Sequence, residues 1–194
     1  MASKNNEKYY AILEGALKVF AENGFHRSQV SKIASAAGVA DGTIYLYFNR
    51  KEDILIGLYK EKLGEIIGKM KTEIERCANA KEALHAVCRI HFDELENNLE
   101  LAYVTQIELR QNDLGMRKEI GKIVKTHIQL LEGLVEKGMK EGDFRTDLNP
   151  KLIRLLIFGA LDEVVTSWLI SGRKYTLASQ LDETVRFLLR GMEA

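Results

Sequence analysis

The stretch SQVSKIASAAGVADGTIYLYF, residues 28–48, decides the fold. Its apolar residues recur at helical spacing on both sides of Gly38, which predicts two short helices joined by a tight turn. Ser28 and Asp41 stand where the N-caps of these helices are expected. Two short helices that cross through a glycine turn are typical of a helix-turn-helix, whose second helix lies in the major groove of DNA.

The outward face of the second helix carries polar but uncharged side chains. Thr43 can bond a base edge or touch a thymine methyl, and the hydroxyls of Tyr45 and Tyr47 can reach phosphates. The alternative is a plain helical hairpin, in which Gly38 only ends a helix and the tyrosines pack. The spacing by itself leaves both interpretations open.

A resemblance favours the DNA-binding interpretation. AGVADGTIYLYF (residues 37–48), followed by KEDIL (residues 51–55), resembles the DNA-binding domain of TetR-family transcriptional repressors. The family's tyrosine-rich recognition helix matches residues 43–48, and the lysine that opens its fourth helix matches Lys51. The resemblance implies a DNA-binding domain over residues 1–50 and a helical effector-binding and dimerisation domain over residues 51–194. It also implies six DNA-contacting residues: Ser28, Gln29, Thr43, Tyr45, Tyr47 and Lys51.

The charge is unevenly distributed along a chain of zero net charge. Residues 1–51 hold seven basic and four acidic side chains, a balance of +3, which leaves −3 for the rest. A basic head on an acidic body suits binding to a short DNA site, although so small an imbalance also arises by chance. The apolar fraction of 46% is enough to bury a core.

The cysteines and the N-terminus predict a cytoplasmic protein. Three helical turns would place Cys77 and Cys88 about 16 Å apart, too far for a disulfide, so both are expected to be reduced. The N-terminus shows no secretory signal. The longest apolar run, residues 155–161, is too short to cross a bilayer, so we expect no membrane segment.

The apolar periodicity is helical nearly throughout, and the chain has one proline. It predicts an all-α fold of about nine helices. Asn149 followed by Pro150 predicts the start of the eighth helix. Besides the two helices of the motif, the predicted helices span about residues 6–23, 51–77, 80–97, 99–111, 114–141, 150–171 and 176–191.

The eighth helix is apolar on every side over residues 155–161, so it must be covered on two sides. One side can face its own bundle and the other a second subunit, which predicts a homodimer through helices eight and nine. A two-fold dimer matches a palindromic operator, with recognition helices 34–36 Å apart or a multiple of one DNA turn. The alternative is one central helix in a monomer.

Several polar side chains interrupt the apolar faces of the C-terminal helices and need partners: His91, Tyr103, Gln106, Arg110, His127, Asp162 and Thr166. The partners are each other, water or a ligand. For His127 we favour a satisfied core histidine. Arg110 can meet an anionic headgroup or pair with Glu108, and the sequence leaves both open.

A second resemblance concerns this part of the chain. VTQIELRQ (residues 104–111) and FGALDEVVTSW (residues 158–168) resemble the fatty-acid-degradation repressors of the TetR family found in bacilli. In that subgroup long-chain acyl-CoA is the effector and releases the DNA. In this chain we expect a shift of helix four to carry the effect of the ligand to the DNA-binding domain. The acyl chain needs an apolar tunnel, and the CoA phosphates need cations. The expected effector-binding residues are Arg89, Tyr103, Gln106, Arg110, Arg117, His127, Leu131 and Phe158.

Catalysis is not expected. The histidines and cysteines lack zinc-site spacing, and neither a phosphate loop nor a serine elbow occurs. Adjacent residues such as Asp162 and Glu163 point about 100° apart on a helix and form no acid/base pair. We therefore expect that the protein has no enzymatic activity and binds neither a metal ion nor a cofactor. The alternatives are a TetR-type regulator of drug efflux that responds to another apolar ligand, and a helical scaffold that does not bind DNA.

Overall fold

The computed structural model describes residues 2–108 and 114–193, and this part of the chain contains nine α-helices and no strand. The predicted all-α architecture is confirmed. Val104–Glu108 continues α6 as a π-helix, and Ala178–Gln180 forms a 3₁₀ turn before α9. The α-helices are α1 Ala2–Asn23, α2 Val30–Ala36, α3 Asp41–Ile44, α4 Lys51–Ile74, α5 Ala80–Asn97, α6 Leu99–Tyr103, α7 Leu114–Glu141, α8 Pro150–Ile170 and α9 Leu181–Met192.

The chain divides into two compact units. Met1–Lys62 and Leu99–Gly121 form the first, and Leu63–Asn98 with Lys122–Ala194 form the second. In the first unit α1 packs against α2 and α6. Its inner face is apolar and fully buried, with Ile12, Ala16 and Phe20 at 0% exposure. α4 and α7 each contribute to both units, because the division falls within these two helices.

In the second unit α5 packs against α8 and α9. Its apolar core includes Val87 and Phe92 from α5 and Ile157 and Leu161 from α8, all at 0% exposure. The start of α8 is confirmed, since the Asn149 side chain accepts hydrogen bonds from two backbone N–H groups of the first turn.

Two predicted helix caps are wrong. The N-cap of α2 is Gln29, because the Ser28 hydroxyl lies instead within donor distance of the carbonyls of Val19 (3.1 Å) and Gly24 (2.7 Å). The N-cap of α3 is Ala40, and Asp41 is the first helical residue. An aspartate in the first turn still interacts favourably with the helix dipole.

Two helices differ from their predicted lengths for local reasons. α6 becomes a π-helix at Val104, where the Thr105 hydroxyl donates to the Leu101 carbonyl (2.8 Å) and so competes with the α-helical ladder. α9 starts at Leu181 rather than near residue 176, because Glu96 accepts the backbone N–H groups of residues 177 and 178.

The two cysteines are free, as predicted, but they do not share a helix. Cys77 follows the end of α4, whereas Cys88 is buried in α5. The prediction of two free cysteines is therefore correct, but the distance estimated along one helix does not explain it. Burial raises the pKa of the Cys88 thiol to about 12, so that thiol stays protonated.

Candidate DNA-binding surface and effector core

The turn between α2 and α3 has the geometry of a helix-turn-helix. Gly38 adopts a φ of 66°, a left-handed conformation that favours glycine, and lets the Val39 N–H donate back to the Ala34 carbonyl at 3.0 Å. Ile33 (0% exposed) and Ile44 (1%) pack beneath the turn. The apolar spacing found in the sequence therefore folds as predicted at this point.

The segment that begins with α3 presents a partly exposed face. Tyr45 is 57% exposed and Leu46 is 81% exposed. Thr43 and Tyr47 are half-buried. Gln29 is exposed at the start of α2. Four of the six predicted DNA-contacting residues thus lie at least partly on the surface of the first unit.

A ring stack holds this segment from behind. The Tyr9 ring on α1 stacks on Phe48, with centroids 5.4 Å apart, and lies 6.4 Å from the Tyr47 ring. Burial raises the pKa of the Tyr9 hydroxyl, and the nearby Glu61 carboxylate raises it further. The sequence analysis did not single out Tyr9, although its place one turn before the apolar face of α1 made it a candidate for packing.

Ser28 and Lys51 lie behind the exposed face. Ser28 is 4% exposed and its hydroxyl is directed at backbone carbonyls, which corrects the expectation that its side chain faces DNA. The Lys51 ammonium lies within donor distance of the carbonyls of Phe25 (2.7 Å), His26 (3.1 Å) and Ser28 (3.0 Å). It also sits 4.5 Å from the centre of the Phe25 ring.

A lysine ammonium has three N–H donors, and three carbonyls are in place to accept them. Lys51 therefore closes the turn between α1 and α2, a role that differs both from a phosphate contact and from a solvated first-turn lysine. The sequence could not show this role, because the three carbonyls lie 23 to 26 residues away.

Three predicted effector residues come together in the core of the second unit. His127 is 4% exposed, Leu131 is 0% exposed, and Phe158 is half-buried. The His127 and Phe158 rings meet edge to face with centroids 5.6 Å apart. His91, named in the sequence analysis only as a polar group that needs a partner, lies beside them, 6.3 Å from His127 between ring centroids.

The histidines are neutral. Burial lowers the pKa of His127 to about 4 and that of His91 to about 3, with a smaller contribution to His91 from His127 itself. The buried Nε2 of His127 has no hydrogen-bond partner among the described residues, so a satisfied His127 stays a prediction that requires a partner from elsewhere.

The remaining predicted effector residues are more scattered. Arg89 is 43% exposed and lies 3.5 Å from carboxylate oxygens of both Glu73 and Asp93. In the first unit, Tyr103 is 38% exposed and Gln106 is 3% exposed. Arg110 lies outside the described residues, and Arg117 belongs to α7, where only its backbone is described.

An exposed apolar face covers parts of α8 and α9. Leu155 is 50% exposed, Leu156 is 56% and Phe187 is 76%. An open groove of about 490 Å³ runs between the two helices, lined by Ala160, Val164 and Phe187 and by charged residues of both signs. Apolar side chains this exposed, grouped on two neighbouring helices, indicate an interaction surface.

Comparison with known proteins identifies the family. Residues 12–58 match the model for bacterial regulatory proteins of the tetR family, and residues 59–191 match the model for the C-terminal region of YsiA-like proteins. The chain belongs to the TetR family.

Individual TetR-family relatives match over almost the whole chain. The fatty acid metabolism regulator protein of Bacillus subtilis is 46% identical over 185 residues, which cover 95% of each chain. The crystal structure of the Bacillus subtilis regulator FadR in complex with stearoyl-CoA has a TM-score of 0.92, covering 94% of this chain and 98% of that one. FadR from Bacillus halodurans matches with 43% identity, a TM-score of 0.92 and the same coverage.

These findings confirm the predicted family and its fatty-acid-regulator subgroup, whose members are transcriptional regulators rather than enzymes. Within residues 2–108 and 114–193, the His, Cys, Asp and Glu side chains form no group of three or more suited to a metal ion. No helix in the described part of the chain combines the length and apolarity needed to cross a membrane.

Proposed function

We propose that this TetR-family protein is a cytoplasmic, dimeric repressor of fatty-acid-degradation genes that long-chain acyl-CoA releases from a palindromic operator. One observation carries the proposal: a TM-score of 0.92 at 46% identity to a regulator crystallised with stearoyl-CoA. The match covers 94% of this chain, so it includes both the helix-turn-helix and the C-terminal helices.

The exposed face around α3 supports the DNA-binding part of this proposal. Thr43, Tyr45 and Tyr47 would read base edges and contact phosphates. Gln29, the N-cap of α2, would contact the sugar-phosphate backbone of the DNA. Ser28 and Lys51 would position this face from behind, since their polar groups already lie against backbone carbonyls of the first unit. We propose that residues 1–50 form the DNA-binding domain and that residues 51–194 form the effector-binding and dimerisation domain.

The apolar core of the second unit supports the effector part. We propose that the acyl chain binds among Leu131, Phe158 and their neighbours, which offer an apolar and aromatic environment. For Tyr103 and Gln106, which belong to the first unit, contact with the effector stays a prediction from the sequence. Arg110 and Arg117 would meet the CoA phosphates, since arginine pairs well with phosphate. Arg89 would do so only by exchanging its two carboxylate partners.

The face formed by α8 and α9 supports a homodimer. A two-fold axis brings the same surface of both subunits together, so that surface must be complementary to itself. The composition of the groove supports this, because apolar Phe187 and Val164 are accompanied by acidic Glu163 and Glu183 and by basic Arg186. A dimer of this symmetry would hold two recognition helices against successive major grooves of a palindrome.

Release of DNA requires that acyl-CoA bind the DNA-incompetent state more tightly than the DNA-bound state. We propose that α4 transmits this preference, because its residues belong to both compact units. Tyr59 on α4 is 1% exposed and donates to the Val104 carbonyl in the π-helix at 2.6 Å. A ligand that moves the π-helix would therefore act on α4 directly.

The proposal is tested by selecting an operator from random DNA and measuring binding of two variants to it. Tyr47→Phe should weaken operator binding and leave binding of oleoyl-CoA unchanged, because it removes one phosphate contact. Arg110→Ala should weaken the response to oleoyl-CoA and leave operator affinity unchanged. An operator without two-fold symmetry would contradict the dimer, and an unaltered response of Arg110→Ala would contradict the headgroup assignment.

A further inference from the structure

The second unit contains two buried histidines, His91 and His127, whose Nε2 atoms have no hydrogen-bond partner among the described residues. His91 on α5 is 7% exposed and His127 on α7 is 4% exposed. Among the residues that the structure describes, nothing pairs with the Nε2 atom of either ring. Native proteins rarely leave a buried polar atom unpaired, so a partner from beyond the described residues, such as water or a bound ligand, is expected at each nitrogen.

The two rings lie close to each other within the second unit. The imidazole rings are 6.3 Å apart between centroids and inclined by 29°. The Phe158 and His127 rings meet edge to face with centroids 5.6 Å apart, and the Phe92 and His91 rings do so with centroids 6.1 Å apart. The rings therefore form a small polar spot with aromatic surroundings.

The site favours an uncharged partner. Burial keeps both imidazoles of the ligand-free protein neutral at physiological pH, so a carboxylate or a phosphate bound here would first have to bring a proton into the core. A neutral imidazole carries one N–H donor and one acceptor, and the tautomer with its proton on Nε2 can donate to a carbonyl oxygen. Because a carbonyl oxygen has two lone pairs, it can accept from both rings.

We propose that His91 and His127 bind the thioester carbonyl oxygen of a long-chain acyl-CoA through their Nε2 atoms. This inference rests on the proposed function. The thioester carbonyl is the polar group joined directly to the hydrocarbon tail, so it enters the apolar core with that tail. The CoA phosphates are charged and suit no site made of neutral rings. A free fatty acid would bring a carboxylate to the same place without a compensating cation, which is how the site distinguishes a thioester from an acid.

A ligand that lacks only the carbonyl oxygen tests the assignment. We would titrate the full-length protein with stearoyl-CoA and with S-octadecyl-CoA, a thioether in which a CH₂ group replaces the carbonyl. The wild-type protein should bind the thioester about 5- to 100-fold more tightly, the range expected for one buried hydrogen-bonding oxygen with neutral donors.

Variants assign this preference to the two rings. In His91→Leu and in His127→Leu the ratio of the two dissociation constants should fall, because each variant removes one of the two donors, and in the double variant it should approach one. In His127→Gln, which keeps a donor, part of the preference should remain. His85→Leu is the matched control on α5, the helix that carries His91. The His85 side chain is 43% exposed and lies 3.6 Å from Asp182, so this variant should keep the full ratio.

The ratio is measured within each variant, so a general loss of stability does not imitate the expected result. The ligand-free leucine variants should unfold at the wild-type temperature or above, because they remove a buried unpaired nitrogen. Equal binding of thioester and thioether by the wild type, or a full preference in both leucine variants, would overturn the assignment. Failure of the wild type to bind either CoA derivative would instead refute the proposed function, and this assignment with it.

Discussion

At Gly15 the backbone of α1 lies close to the end of α2, and replacement of this glycine by alanine tests the packing of the DNA-binding unit. A Cβ at this position would lie 2.8 Å from the backbone N of Ala37 and 3.0 Å from the carbonyl oxygen of Ile33. These two atoms are joined by a 2.9 Å hydrogen bond that closes the last turn of α2. The added methyl group would therefore press on helix backbone rather than on a flexible side chain.

Two opposing effects set the change in unfolding free energy. Alanine in a helix interior is favoured over glycine by about 0.8–1.0 kcal/mol. Overpacking a tight contact typically costs about 1–3 kcal/mol, and a backbone contact belongs at the upper end of that range. We therefore expect Gly15→Ala to lower the unfolding free energy by about 1–2 kcal/mol.

Gly64→Ala provides the matched control. It is also a helical glycine, but a Cβ there would meet no atom within 4 Å. Only the helix-propensity effect applies, so the unfolding free energy should rise by about 0.5–1 kcal/mol. Urea unfolding followed by circular dichroism measures both variants. If Gly15→Ala stabilises the protein as much as Gly64→Ala does, α1 and α2 do not cross as described here.

Three further predictions concern other parts of the molecule. Lys51→Met should lower the unfolding free energy by about 1–3 kcal/mol, because it removes the ammonium donor from three backbone carbonyls. Lys60→Met, which is exposed on the same helix, should change it by less than about 0.5 kcal/mol in the same urea titration. The unfolded state binds more protons at the two histidines, so stability should fall as pH drops from about 6.5 towards 4, and the decline should be shallower in His127→Leu. Phe187→Glu should give folded monomers in sedimentation velocity, because it places two like charges in the proposed dimer interface; a dimer that survives at micromolar concentration contradicts that interface.

The helix-turn-helix could be predicted from sequence because its determinants are local. Ile33 and Ile44 lie within a few residues of the turn that they pack against, and Gly38 alone supplies the backbone conformation that the turn needs. The start of α8 was equally predictable, since a cap depends on Asn149 and the residues directly after it. The fold class followed from periodicity that persists along the whole chain.

The roles that the sequence did not reveal depend on partners distant along the chain. Ser28 has the residue type of a cap, but a carbonyl nine residues earlier competes for its hydroxyl. Lys51 acts on a turn more than twenty residues away. For His91, periodicity predicted burial correctly, but only the three-dimensional arrangement shows that His127 lies beside it and that the Nε2 atom of each ring has no hydrogen-bond partner among the described residues.

Release of operator DNA by acyl-CoA is the property that we would measure first. Fluorescence anisotropy would follow binding of the full-length protein to its selected operator at one fixed salt concentration, because DNA affinity depends strongly on salt. We predict that oleoyl-CoA releases the DNA, whereas oleate alone and CoA alone do not. Tight operator binding that is indifferent to oleoyl-CoA would contradict the account and would favour a TetR-family regulator that responds to another apolar ligand.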